Sequence, residues 1–168
     1  MLGRRAAIIG LIGGVSACGF RPMMRQVKNE GVRGELAAVK ITGLNGRLGQ
    51  LVRNSLLDHM NPQSATVPSR YILVIRLTRK TNSLAIQLDN TVTRYNLVLT
   101  ANIRLLDGED QEELYTATVR RAASYDVVKA PYSTLVAEQD AERRAADEVG
   151  VDISNQLAVH FARQAPVV

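Results

Sequence analysis

The chain has 168 residues, 46% of them hydrophobic, and carries 21 lysines and arginines against 16 acidic residues, for a formal net charge of +5. One Cys, two Phe and no Trp exclude an internal disulfide framework and require a core built mainly from aliphatic side chains. No CxxC pair, metal-spaced cluster or internal repeat is visible.

Arg4 and Arg5 precede an apolar run from Ala6 to Val15. The run is shorter than the roughly 20 residues a bilayer span needs. A charged start, a short apolar segment and small residues before a possible cut form a secretory signal. Val15-Ser16-Ala17-Cys18 resembles the lipobox of bacterial lipoproteins, which implies cleavage before Cys18 and acylation of its sulfur. The expected organisation is a lipoprotein signal peptide over residues 1–17, a lipid-anchored tether over 18–34 and one domain over 35–165. From Gly19 to Leu106 there are 13 basic and 4 acidic residues, and from Asp107 onward 6 basic and 12 acidic. One part of the protein is therefore expected to be basic and another acidic.

Leu36 to Thr42 reads as a short strand, followed by a turn at Gly43, Asn45 and Gly46. Leu48, Leu51, Val52, Leu56 and Met60 fall at helical spacing, so a helix is expected over Arg47 to Met60. Asn61-Pro62 ends it, because proline disfavours helix in the residue before it. Arg70 to Lys80 alternates as a strand with apolar residues on both faces over its first half, the mark of a central strand. Thr81-Asn82-Ser83 reads as a turn, and Asp89-Asn90 as a bulge or kink after a second short strand over Leu84 to Leu88.

Thr91 to Leu106 alternates cleanly. Tyr95, Leu97, Leu99, Ala101, Ile103 and Leu105 share one face, and Arg94, Asn96, Thr100, Asn102 and Arg104 the other. Asp107-Gly108 signals a hairpin, and Glu113 to Asp126 pairs back. Arg121 falls by parity on the apolar face of that strand, which requires a bulge or a side chain that snorkels out at the edge. A long helix follows, starting at an N-cap near Ser133 or Thr134 and running toward Gln164. Val149, Ile153, Leu157 and Phe161 mark its apolar stripe, and Gly150 allows a kink. The expected fold is α+β, a two-layer sandwich with two helices on one face of a mostly antiparallel four-stranded sheet.

The start Cys18-Gly19-Phe20-Arg21-Pro22-Met23 and the tract from Pro131-Tyr132-Ser133-Thr134-Leu135 to Arg143-Arg144-Ala145-Ala146 resemble the LptE family of lipopolysaccharide-assembly lipoproteins. The resemblance covers the whole mature chain, although neither motif is a catalytic signature. It implies an outer-membrane lipoprotein on the periplasmic face. Such a protein plugs and helps assemble the LptD β-barrel translocon and contacts lipopolysaccharide through basic side chains. Ahead of Tyr95, Thr91 stands where a basic residue would be sought, and Arg94 lies three residues later. The candidate lipopolysaccharide contacts are Arg76, Arg94, Arg104, Arg120 and Lys129, with Arg79 and Lys80 near loops that could reach the same side. An alternative is a stand-alone lipoprotein that binds a cell-envelope ligand. Export and the lack of an aromatic stacking run argue against nucleic acid.

No catalytic residues are expected. His59 and His160 read as helix-surface residues, no serine sits in a GxSxG context, and the acidic turn from Asp107 to Glu113 fits no EF-hand. Glu138, Asp140 and Glu142 read as acids favoured by a helix N-terminus. No metal or cofactor is implied beyond the covalent lipid on Cys18, which would also be the membrane anchor. Each buried acyl CH₂ would add about 0.8 kcal/mol of membrane affinity. Cys18→Ala is expected to leave an unlipidated precursor; mass spectrometry that finds an unmodified Cys18 in the membrane-bound wild type would contradict the anchor.

Overall fold

The computed structural model describes residues 30–62, 66–86, 92–128 and 130–164. Cys18, most of the expected tether, Asp89-Asn90 and Lys129 lie outside the described residues. The elements in order are α1 (Glu30–Ala37), β1 (Val39–Thr42), α2 (Gly46–Met60), β2 (Tyr71–Ile86), β3 (Val92–Asp107), β4 (Glu113–Asp126) and α3 (Pro131–Gln164). The strands form one sheet in the order β1-β2-β3-β4. The β1–β2 pair is parallel, and the other two pairs are antiparallel. The fold is the expected α+β arrangement with helices on one side of the sheet, but among the described residues it has three helices rather than two.

The additional helix is α1, which occupies residues read as tether and strand. Val32 and Leu36 stand one turn apart, and both are buried. Gly31 and Gly34 weaken its intrinsic helicity, so tertiary packing rather than propensity holds it. The chain then passes into a β1 of only four residues. In α2 the expected stripe is seen, with Val52, Leu56 and Met60 buried and Leu48 and Leu51 packed against the core. The helix ends at Met60, and the Asn61 N–H still donates to the Leu57 carbonyl at 2.9 Å.

Strand β2 runs straight through Thr81, Asn82 and Ser83, which pair with Leu97, Asn96 and Tyr95. The expected turn there is not formed. Small polar residues mark turns when local preference decides, but here pairing with β3 decides and the side chains point to solvent. A register irregularity follows between Ser83 and Ile86. The face assignment for β3 is as expected: Leu97, Leu99, Ala101, Ile103 and Leu105 are fully buried, while Asn102 and Arg104 are exposed. The β3–β4 turn is wider than a two-residue hairpin, because the Asp107 N–H donates to the Glu112 carbonyl and Gln111 takes φ +60°.

Helix α3 begins at Pro131, a residue preorganised for the first helical position. The Thr134 hydroxyl does not cap it in the expected way; it bonds backbone groups of Val128 instead. At 1.5 Å per residue α3 is about 50 Å long, and β2 at about 3.3 Å per residue matches it. Its buried stripe of Ala141, Ala145, Ala146, Val149, Ile153, Leu157 and Phe161 joins Leu73, Ile75 and Leu99 of the sheet and Val52 and Leu56 of α2 in one core. Gly150 serves a close approach: a Cβ there would lie 2.7 Å from Ser55 Cβ on α2. The Ser55 hydroxyl donates to Asp147 at the same crossing.

Leu99→Ala should cost about 2–5 kcal/mol, and Asn102→Ala on the opposite face well under half of that. Thermal melts that rank the two the other way would reverse the face assignment. Gly150→Ala should also destabilise, despite the higher helix propensity of alanine, because the added methyl meets Ser55.

Candidate functional site

Strand alternation that sends the leucines toward α2 and α3 sends the intervening residues to the other side of the sheet. There β2 presents Arg76, Thr78 and Lys80, β3 presents Asn96, Thr100, Asn102 and Arg104, and β4 presents Thr116, Thr118 and Arg120. Register sets the rows across the sheet. Arg76 stands opposite Asn102, which stands opposite Thr118; Val74 stands opposite Arg104, which stands opposite Thr116. Arg76 and Arg104 are thus diagonal neighbours on adjacent strands. An open depression of about 410 Å³ is lined by Val74, Arg76, Asn102, Arg104, Thr116 and Thr118. The Thr118 hydroxyl donates to Asn102 Oδ1 at 2.9 Å, and the Thr116 hydroxyl donates to the Ile103 carbonyl at 3.0 Å. Two guanidinium groups therefore flank a floor of neutral hydroxyl and amide groups.

The expected basic candidates divide sharply. Arg94 grips Asp126 with two hydrogen bonds, of 2.7 and 3.2 Å. Those bonds hold the Asp126 carboxyl below the usual carboxylate range and raise Arg94. Its fork is thus already occupied. Arg104 lies 3.9 Å from Glu113 with both groups about half exposed, a geometry worth little energy and easily broken. Among the described residues, Arg76, Lys80 and Arg120 have no carboxylate partner. Lys129 lies outside the described residues.

Arg79 does not reach this face. It lies on the helix side, where it pairs with Glu138 and Glu142 of α3, and Arg47 of α2 pairs with the same Glu142. Glu142 is 8% exposed and sits about three turns beyond the start of α3, so buried ion pairing accounts for it rather than the helix terminus. A carboxylate on the apolar stripe, one turn from Glu138, is the sequence signal for such a pairing. Arg121 needs no bulge, since its register with Leu99 is regular and its guanidinium pairs with Asp152 of α3.

The histidines differ from each other. His59 is exposed on α2, and its Nδ1 lies 2.7 Å from the Ser55 carbonyl. His160 is half-buried rather than a surface residue, with ring centroids 4.9 Å from Tyr115 and 5.6 Å from Phe161. Burial, and then Arg163, push its pKa down. In the acidic turn, Asp107 and Asp110 carboxylates accept the N–H groups of Glu109 and Glu112. Among the described residues, no group of three or more His, Cys, Asp or Glu side chains could hold a metal ion. Among them, no helix is long and apolar enough to cross a membrane.

The family model for LptE, lipopolysaccharide-assembly, matches residues 36–157. Among solved structures, the fold resembles a chain described as a lipoprotein from Caulobacter crescentus CB15, at 28% identity and a TM-score of 0.66, covering 82% of this chain and 99% of that one. It also resembles a minor lipoprotein from Acinetobacter baumannii, at 15% identity and a TM-score of 0.56, covering 72% of this chain and 88% of that one. Lipoprotein B from Nitrosomonas europaea matches at 20% identity and a TM-score of 0.53, covering 77% and 90% of the two chains. The last two likenesses bear on the fold alone. No curated protein matches.

The packing of His160 makes stability depend on pH. Its folded pKa lies below the ordinary 6.5, so the unfolded chain binds the extra proton first. Stability is fully present above pH 6.5 and is lost as pH falls from there through the folded pKa. Chemical denaturation at pH 7.5 and pH 5 should show that loss, and His160→Gln should flatten it; an unchanged pH dependence in the variant would contradict the assignment.

Proposed function

This chain belongs to the LptE lipopolysaccharide-assembly family, and from that premise we propose that it works as an outer-membrane lipoprotein of lipopolysaccharide transport. In this reading an acylated Cys18 anchors it to the periplasmic face of the outer membrane. The folded domain plugs the LptD-type β-barrel translocon and helps it assemble. It makes no covalent change in its lipid cargo, so its chemistry is that of binding and positioning.

The single observation that carries the cargo-binding part is the pair Arg76 and Arg104 flanking the open depression. Guanidinium forks bind phosphate bidentately with charge-assisted hydrogen bonds, and the phosphates of a lipopolysaccharide headgroup offer those acceptors. Asn102, Thr116 and Thr118 supply neutral groups suited to sugar hydroxyls. Arg120 and Lys80 extend the positive surface on the same face. Arg94 is a weaker candidate, because phosphate would have to displace Asp126 from both of its hydrogen bonds.

Two measurements test the reading. After detergent extraction, a barrel protein identified by mass spectrometry should copurify with the chain; recovery of the lipoprotein alone would favour the stand-alone envelope-binding alternative. Arg76→Asp with Arg104→Asp should weaken binding of phosphorylated lipopolysaccharide by about tenfold or more, which is roughly 1.4 kcal/mol, with little change in melting temperature. Arg94→Asp should have a smaller effect on that binding. Undiminished binding in the double variant, or equal binding of dephosphorylated lipid, would remove the depression from the mechanism.

A further inference from the structure

We propose that the free edge of β2 beyond β1 is a docking site for an extended acidic–apolar segment of a protein partner, taken up as an added strand. This goes beyond the lipopolysaccharide reading and does not rest on it. β1 pairs only with residues 71–74 of β2, whereas β2 continues to Ile86. The Leu73 carbonyl accepts from the Thr42 hydroxyl, and the Tyr71 N–H donates to the Ala38 carbonyl. Odd-numbered backbone groups of β2 therefore point to the β1 side. Since successive residues of a paired strand alternate in direction, Leu77, Arg79 and Thr81 point their N–H and C=O groups off this edge. Residues 78–84 are all exposed.

Where β1 stops, no strand among the described residues continues this edge. Gly43, at φ +82°, runs so close to β2 that a Cβ there would lie 2.6 Å from the Ile75 carbonyl oxygen. An open depression of about 410 Å³ begins at this point, lined by Gly43, Asn45 and residues 74–77. Sheet edges are commonly guarded by a proline or by an inward-pointing charge. No proline lies within β2, and the inward cation, Arg79, is tied to Glu138 and Glu142. An incoming strand would thus meet Arg79 already paired on its helix side. On its other side it would pass Arg76 and Lys80, neither of which has a carboxylate partner among the described residues. Strand addition draws affinity from main-chain hydrogen bonds and specificity from alternate side chains. The occupant that fits is an extended segment with acidic residues at every second position and small apolar residues between them.

The test uses the full chain in detergent and a short capped peptide alternating glutamate and valine. Amide exchange read by NMR should be fast at Leu77, Arg79 and Thr81 in the chain alone and slow by about tenfold or more with the peptide bound. Thr81→Pro removes an outward N–H at an edge where proline is tolerated, and it should abolish that protection. Replacing glutamate by lysine in the peptide should weaken binding by about tenfold. If Thr81→Pro lowers the melting temperature, Arg76→Glu with Lys80→Glu decides instead, and should reverse the preference toward the lysine peptide. Amides already protected in the chain alone, no protection on adding the peptide, or a charge-reversed variant with unchanged preference would overturn the proposal.

Discussion

The burial of one face of the sheet under α3 is the constraint from which the rest of the molecule follows. The helix and the longest strands have nearly equal lengths, and α3 covers the apolar face with its stripe from Ala141 to Phe161. Its alanines at 141, 145 and 146 allow close approach where the sheet offers leucines, and Gly150 does the same against Ser55 of α2. Because side chains in a strand alternate with a period of two, committing Leu97, Leu99, Ile103 and Leu105 to that layer commits Asn96, Thr100, Asn102 and Arg104 to solvent. The polar face is thus the geometric complement of the core.

Charge follows the same division. Cations on the covered side are held by acids of α3: Arg79 and Arg47 by Glu142, and Arg121 by Asp152. A buried carboxylate is costly unless paired, and two arginines satisfy Glu142. On the open side few acids are in reach. The acid-rich C-terminal part of the chain spends Glu138, Glu142 and Asp152 on the helix layer and Asp126 on Arg94, and among the described residues Arg76, Lys80 and Arg120 are left without a carboxylate partner. Of the basic residues before Asp107, Arg76, Lys80 and Arg104 lie on the open face, whereas Arg47 and Arg79 are paired on the helix side.

Much of this was legible in the sequence, and the misses share a cause. The faces of β3 and β4 follow from alternation over long runs, the extents of α2 and β4 from periodicity and breakers, and the long last helix from its apolar stripe. Helix α1 was not legible, because eight residues containing two glycines carry almost no helical signal and only Val32 and Leu36 tie it down. The polar Thr81-Asn82-Ser83 signals a turn locally, yet pairing with Leu97, Asn96 and Tyr95 overrides it. At the site, alternation placed Arg76, Arg104 and Arg120 on one face, but it could not say that Asp126 holds Arg94. That fact depends on the β3–β4 register. Arg79 was misplaced for the same reason: with a turn drawn two residues later, it read as a loop-side residue and not as a strand residue facing a helix.

In the proposed function the open face, and not the helix layer, meets the ligand. The most direct measurement is a backbone-amide NMR titration of the chain with phosphorylated lipid A in detergent. Saturable shifts should be concentrated at Arg76, Asn102, Arg104, Thr116 and Thr118, with little change along residues 141–161 of α3. Shifts concentrated on α3, with the open face unmoved at saturation, would contradict it.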